Sequence, residues 1–125
     1  MEFEFDNNTP IYMQLVNNIK MYIISGKLKS GERLPSVREL AFMLKVNPNT
    51  VQKALGSLED IKLIYTERTN GKYVTDDIDL INKLKEEYIL NLTRDYLSNL
   101  ELIGLSSKDI IKYFKEEREC NKWSY

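Results

Sequence analysis

Two short amphipathic segments in the first half of the chain each begin with their own helix-start signal. Ser36, with Glu39 three residues later, forms a capping box, in which each side chain bonds the backbone N–H of the other residue. Asn47 followed by Pro48 places a good N-cap before a proline at the first helical position, where its missing N–H costs nothing. Because the connection between the helices is so short, they must pack at a steep angle. The pattern predicts a helix-turn-helix with an apolar interior of Val37, Leu40, Ala41, Leu44, Val46, Val51, Ala54, Leu55 and Leu58.

The second of these helices is expected to turn one polar face away from the apolar interior. Pro48, Asn49, Gln52 and Lys53 lie on that face. The amide side chains could read adenine in a bidentate manner or merely face water, and the lysine is suited to the DNA backbone. This face favours DNA as the partner of the second helix.

A further helix is predicted upstream, because Thr9-Pro10 repeats the combination of a cap and a proline. Apolar residues follow at four-residue spacing, which is the period of one helix face; they are Ile11, Leu15, Ile19 and Ile23. The helix is expected to end near Ser25 and Gly26.

Two short runs at residues 63–66 and 72–75 have the composition of β-strands and flank Asn70-Gly71. Asn-Gly is a strong hairpin signal because a type I′ turn needs positive φ at both central residues. A helix-turn-helix followed by a hairpin is a winged helix. The predicted fold is therefore mostly α with a small β-hairpin wing.

From Asp77 the pattern changes to one long helix that extends to about Leu100, and a turn at Gly104 leads into a last helix. Such a helix of about 24 residues is roughly 36 Å long, and its apolar flank extends beyond any winged-helix core. We therefore expect a two-helix dimerisation tail that a second chain covers. The stripe predicted to dimerise consists of Ile81, Leu84, Tyr88, Leu92 and Tyr96.

Length and composition allow one modest core plus an appendage, since the chain has 125 residues of which 42% are apolar. We place a DNA-binding domain at residues 9–76 and the helical tail at residues 77–125. No membrane span and no signal peptide is recognisable, so a cytoplasmic protein is expected. The lone Cys120 fits a reducing compartment, and Trp123 is left unplaced.

The formal net charge of −1 argues against a nucleic-acid binder until it is divided along the chain. Residues 10–75 contain ten Lys and Arg against five Asp and Glu, a local charge of +5, whereas the first nine residues and residues 76–125 each sum to −3. Because phosphates respond to the local field, the positive charge lies where DNA contact is expected.

Catalysis is not expected, because the chain has no histidine, no cysteine pair and no glycine-rich phosphate loop. The carboxylates of Asp76, Asp77 and Asp79 could bind a metal, but acidic residues at a helix start are favoured by the helix dipole alone. We therefore predict a protein that is not an enzyme and that needs no metal or cofactor.

The motifs together resemble the GntR family of bacterial transcription regulators, and the chain length is similar to that of the YtrA-like subfamily. The resemblance extends over about residues 9–75. It rests on Pro10-Ile11-Tyr12 with Gln14, Gly26 with Leu28 and Gly31, Leu34-Pro35-Ser36 with Arg38, Leu40-Ala41 and Leu44, Val46-Asn47-Pro48 with Thr50-Val51, Ala54, Leu58-Glu59, Leu63-Ile64, and Gly71 with Tyr73-Val74.

The resemblance implies a homodimeric repressor that binds a pseudo-palindromic operator in double-stranded DNA. It implies base contacts for Arg38, Asn47, Pro48 and Asn49, and phosphate contacts for Ser36, Thr50 and Gln52. The wing contacts would come from Arg68 and Gly71, and the neighbouring Asn70 and Lys72 at the hairpin tip are added to the predicted interface with Lys53.

Four positions depart from the family pattern. Lys62 stands where the family usually has a glycine, so this lysine is expected in a left-handed conformation. Thr69 replaces the first of two wing glycines, which affects how deeply the wing enters the minor groove. Pro48 and Gln52 stand where some relatives have arginine, so base reading would rest more on Arg38 and Asn49.

Two other functions remain open at this point. A winged helix could serve as a protein-interaction module without an operator, which a DNA-shift assay on genomic fragments distinguishes. The chain could also be an effector-sensing regulator with a small-molecule pocket between the tail helices, which would release DNA when the unknown effector binds.

Overall fold

Helices and one antiparallel hairpin make up the computed structural model, which describes residues 1–121 except for the side chains of Ser107, Cys120 and Asn121. Trp123 therefore lies outside the described residues. The elements in chain order are α1 (Ile11–Ser25), α2 (Val37–Leu44), α3 (Pro48–Asp60), β1 (Ile64–Glu67), β2 (Gly71–Val74), α4 (Ile78–Leu102) and α5 (Ser107–Asn121). This order confirms the predicted mostly α fold with a β-hairpin wing. The chain divides into a first unit, Met1–Lys85, and a second unit that begins at Glu86.

The first unit is built around α3, against which α1, α2 and β1 all pack. Its core contains the buried apolar residues of the predicted helix-turn-helix, and Val37 and Val46 pack at the edge. Other elements add Leu15, Ile19, Ile23, Leu28, Leu34, Leu63, Ile64, Val74 and Ile81. Burial of this apolar surface is what fixes the angle between α2 and α3.

The two helix starts of the helix-turn-helix form as predicted. The Ser36 hydroxyl accepts from the Glu39 backbone N–H at 3.1 Å, and the Glu39 carboxylate accepts from the Ser36 N–H at 3.4 Å. The Asn47 side chain accepts from the Asn49 N–H at 2.8 Å, with Pro48 at the first helical position. The prediction for α1 was wrong by one residue, because Pro10 itself occupies the cap position and makes no side-chain cap bond.

Two lysines, one after α2 and one after α3, have positive φ. Lys62 has φ 65°, which confirms the conformation expected at this departure from the family pattern. Lys45, at the end of α2, has φ 56° and was not predicted. A non-glycine residue in this region costs of order 1–2 kcal/mol, so both lysines are held there by the packing on either side.

The wing differs from the predicted hairpin in its turn. Glu67 pairs with Gly71, the Asn70 N–H donates to the Glu67 carbonyl at 3.3 Å, and of the wing residues only Gly71 has positive φ, at 105°. The loop therefore has three residues followed by a glycine, and the type I′ turn centred on Asn70-Gly71 was wrong. A three-residue loop needs only one residue with positive φ, and glycine supplies it at the least cost.

An N-terminal segment at residues 1–6, which the predicted domain left out, also packs on the first unit. Phe3 and Phe5 lie against the core, and the Phe3 ring contacts the Tyr22 ring edge-on with 5.1 Å between centroids. Asp6 and Gln14 exchange two hydrogen bonds of 3.0 Å between the Asp6 backbone and the Gln14 side chain. The first unit is thus larger than its helix-turn-helix and wing.

The helix α4 begins in the first unit and continues into the second. Asp77 caps its start by accepting from the Leu80 N–H at 3.0 Å. Ile81 belongs to the core of the first unit and is buried by its own chain, whereas Leu84 packs against that core and is only partly buried. Tyr88, Leu92 and Tyr96 are exposed, and their role in dimerisation stays a prediction.

The second unit contains the rest of α4 and α5, joined by a turn in which Gly104 has φ 81°, as predicted. Ser106 donates from its hydroxyl to Asp109 at 2.9 Å at the start of α5. Ile110 is buried, and the Tyr96 and Phe114 rings lie 5.5 Å apart. Within the described part of the chain, none of the helices has the length and apolar character needed to cross a membrane.

Candidate nucleic-acid interface

The first part of the interface is the start of α2. Arg38 is the second residue of this helix and is exposed. No hydrogen bond or ion pair engages its guanidinium among the described side chains. The neighbouring Ser36 hydroxyl accepts from the backbone N–H of Glu39 and so has its proton left to donate to a phosphate oxygen. The arrangement leaves Arg38 free to reach outward from a fixed helix end.

The second part is the first two turns of α3. Pro48, Asn49 and Gln52 are exposed, and Thr50 is half-buried. Asn47 is exposed too, but its side-chain oxygen already bonds the Asn49 backbone, which gives this residue a structural role beside the predicted base contact. Asn49 and Gln52 therefore have unengaged side-chain amides on α3, the recognition helix, which would enter a major groove.

Lys53 also lies on the exposed face of α3, but it is not isolated. Its ammonium lies 3.8 Å from the centroid of the Tyr12 ring on α1, at cation–π distance. The sequence interpretation missed this contact because Tyr12 and Lys53 lie far apart along the chain. The Lys53 ammonium is therefore already engaged by an aromatic ring of α1.

The wing changes the interpretation of Lys72. Its ammonium forms an ion pair with the Glu59 carboxylate of α3, and it also donates to the Thr66 hydroxyl at 2.9 Å. The hydrogen bonds from Lys72 and then Thr66 lower the pKa of Glu59 below its ordinary value, despite partial desolvation. Lys72 thus ties the wing to the recognition helix and has less charge to offer DNA than the sequence suggested.

The opposite face and the tip of the wing remain open to solvent. Tyr65 and Tyr73 are directly paired across the strands, and their rings stack with 5.8 Å between centroids. Desolvation, followed by the nearby Asp76 carboxylate, raises the pKa of Tyr65. Arg68, Asn70 and Gly71 are exposed at the tip, as a wing contact requires.

The acidic residues after the wing do not form a metal centre in the described structure. Among residues 1–121, no three Cys, Asp or Glu side chains are grouped so that they could hold an ion. Asp77 caps the start of α4 by accepting from the Leu80 N–H.

The exposed polar face of α3 with Lys53, the unpaired Arg38 at the start of α2 and the wing with Arg68 at its tip are the parts of a winged helix-turn-helix domain. The family model described as bacterial regulatory proteins, gntR family, matches residues 11–74. The chain belongs to the GntR family.

Two similar proteins cover different shares of the chain. A GntR family transcriptional regulator from Listeria monocytogenes is 40% identical and has a similar structure, with a TM-score of 0.84 over 90% of this chain and 98% of that one. The HTH-type transcriptional repressor YtrA of Bacillus subtilis (strain 168) is 44% identical over 71 residues, which are 57% of this chain and 55% of YtrA. The YtrA-like resemblance is therefore confirmed, and the chain is a transcription regulator rather than an enzyme.

A solved complex shows the same kind of domain on DNA. The DNA-binding domain of AraR in complex with operator ORX1 is 26% identical, with a TM-score of 0.54 over 60% of this chain and 95% of that one. Together with the family match, this places the chain among regulators that use the winged helix to bind DNA.

Proposed function

We propose that this protein is a homodimeric repressor that binds a pseudo-palindromic operator. Each protomer would insert the first turns of α3 into a major groove and place its wing beside the adjacent minor groove. Such a regulator acts where the bacterial chromosome is, in the cytoplasm. The observation that supports the proposal most directly is that the unpaired guanidinium of Arg38 on α2 and the amides of Asn49 and Gln52 on α3 are all exposed.

The charge of the first unit supports binding to DNA. Residues 10–75 have a local charge of +5, whereas residues 76–125 sum to −3. Of the ten cations in the first region, Lys72 is neutralised by Glu59. The remaining positive charge attracts phosphates independently of sequence, and base discrimination is left to Arg38, Asn49 and Gln52.

The exposed apolar residues of the second unit support a dimer. Tyr88, Leu92 and Tyr96 are exposed by 42%, 53% and 40%, and they recur at four-residue spacing along one side of α4. Large apolar side chains that recur on one side of a helix without cover are typical of an interface. A second copy of the chain is the partner we propose, since a two-fold dimer would present two recognition helices to two half-sites.

The experiment that tests this function is selection of DNA by the purified chain. Genomic fragments retained by the protein are sequenced, and the proposal predicts an inverted repeat whose half-sites lie about one helical turn apart, 10–10.5 base pairs centre to centre, or a multiple of it. Transcription in vitro from a template with the recovered site should fall when the protein is added. Fragments without a shared motif would contradict an operator-binding function, and increased transcription would contradict repression.

A further inference from the structure

The segment before the helix-turn-helix runs beside β2 and pairs with it through backbone hydrogen bonds. The Leu34 N–H donates to the Lys72 carbonyl at 2.8 Å, and the Val74 N–H donates to the Glu32 carbonyl at 2.9 Å. Between these two bonds, Arg33 forms an antiparallel bridge with Tyr73. Arg33 is therefore part of the wing in space, although it precedes the hairpin by more than 30 residues in sequence.

The alternation of side chains divides the wing into two faces. Directly paired residues share a face, and so do residues two apart along a strand. Ile64, Thr66, Lys72 and Val74 share the face toward α3, where Lys72 is bound by Glu59. The opposite face, which is the one open to solvent, contains Arg33, Tyr65, Glu67, Gly71 and Tyr73.

On that open face, the guanidinium of Arg33 rests against Gly71. A Cβ added at position 71 would lie 3.3 Å from the Arg33 Nε and 3.4 Å from one of its terminal nitrogens. Glycine at this position thus provides the positive φ of the turn and also the space in which the arginine lies. The guanidinium is held next to the tip loop that contains Arg68.

The charge of Arg33 is available to a ligand. The residue is exposed, and no carboxylate pairs with it among the described side chains. We infer that Arg33 contacts the DNA backbone from the wing. Arg33 would thus have the DNA-contacting role that the sequence analysis assigned to Lys72. This inference rests on the proposed function, and it assigns to Arg33 a phosphate contact rather than a base contact, because its guanidinium lies next to Gly71 on the open face of the wing, opposite the face toward α3, whose residues are proposed to read bases.

The test compares Arg33→Gln with Lys29→Gln and Arg33→Lys. Lys29 is an exposed lysine in the same loop, and its substitution removes the same charge. Affinity is measured by fluorescence anisotropy at several salt concentrations, on the duplex recovered by selection and on a scrambled duplex of equal length. Circular dichroism melting confirms that each variant is folded.

Arg33→Gln should weaken binding to both duplexes by the same factor, about tenfold. Loss of one phosphate contact in each protomer should make the slope of log affinity against log salt shallower by about 2. Lys29→Gln should change the affinity by less than about twofold and leave the slope nearly unchanged. Arg33→Lys, which keeps the charge, should restore the slope and most of the affinity.

Equal effects of Arg33→Gln and Lys29→Gln would overturn the inference, and so would a loss confined to the selected duplex or no recovery in Arg33→Lys. In all these outcomes the wild-type chain still binds DNA, so the proposed function stands. A wild-type chain that binds neither duplex would overturn the proposed function and this inference with it.

Discussion

The two units of the chain differ in where their large apolar side chains lie. In the first unit most of them form a continuous core that includes fully buried residues of α1, α2, α3 and the wing, although Phe42 of α2 is 86% exposed. In the second unit Ile110 is buried, but many large apolar side chains on the described parts of α4 and α5 are exposed by 40% or more. The comparison indicates that the first unit is stabilised by its own core, and the exposed apolar side chains of the second unit support the proposal that a second chain covers them.

The largest expected effect concerns the core of the first unit. Leu58 of α3 is fully buried, so Leu58→Ala should lower the free energy of unfolding by about 2–5 kcal/mol through lost burial and a residual cavity. Leu92→Ala, which truncates a half-exposed leucine of the second unit, should cost well under half as much at a concentration where single chains dominate. Urea unfolding followed by circular dichroism measures both free energies. Equal losses in the two variants would contradict the proposed difference between the units.

The next effect separates base reading from backbone contact within the first unit. Arg38→Ala should reduce affinity for the selected duplex by about 1–3 kcal/mol per lost base contact, and reduce affinity for scrambled DNA much less. Lys53→Ala should weaken both duplexes by similar factors, because the lysine is suited to the DNA backbone rather than to a base edge. The ratio of the two affinities, at one fixed salt concentration, is the readout. Equal weakening of both duplexes by Arg38→Ala would assign that residue to the backbone.

A smaller effect is expected inside the recognition helix. A Cβ added at Gly56 would meet no atom within 4 Å, so Gly56→Ala should raise the free energy of unfolding by about 0.5–1 kcal/mol. Gly26 offers the same empty space but has φ 84°, and Gly26→Ala should therefore destabilise the protein. Thermal unfolding of the two variants checks the opposite signs. Two shifts in the same direction would contradict this explanation.

The smallest effect concerns the ion pair that ties the wing to α3. Because the pKa of Glu59 is lowered in the folded protein, its stabilising contribution is present above its ordinary value of 4.5 and is lost as the pH falls through the lowered value. Glu59→Gln should cost up to about 1 kcal/mol near neutral pH, since the pair is partly exposed, and the difference from wild type should vanish in acid. Glu67→Gln is the matched control, and urea unfolding across pH measures both. A difference that persists in acid would mean that shape rather than charge holds the wing.

The sequence predicted the elements whose signals are local. The capping box of Ser36 and Glu39 and the start at Asn47-Pro48 each lie within four residues, and both form as expected because the side chain and the backbone it bonds are close in sequence. The left-handed Lys62 was predicted from a different source, the glycine that the GntR family usually has at this position. The hairpin of the wing forms as predicted. Its turn is of a different type, because the dipeptide Asn-Gly does not by itself determine the loop length.

The contacts that the sequence did not predict join distant residues. Lys72 with Glu59, Lys53 with Tyr12 and Arg33 with Gly71 all depend on how packed elements meet, which no short window of sequence encodes. Burial of Ile81 and Leu84 was missed for a related reason. Their helical spacing is the same as that of the exposed residues farther along α4, and only the position of the core distinguishes them.

The central claim of this account is that the first unit reads DNA while the second unit brings two copies together. It is tested with the double variant Tyr88→Glu and Leu92→Glu, which places charges on the exposed stripe of α4, against Asn91→Glu as the matched control on the same helix. Both substituted residues lie in the second unit, so the winged helix keeps its core.

The decisive measurement is the affinity of these proteins for a duplex with two half-sites relative to a duplex with one. The wild-type chain and Asn91→Glu should prefer the two-site duplex by about a hundredfold or more, because linked heads bind the second half-site at a high effective concentration. The double variant should sediment as a monomer and lose most of that preference, while its affinity for the single half-site stays close to that of one wild-type head. A double variant that keeps the full preference for two half-sites would contradict the account.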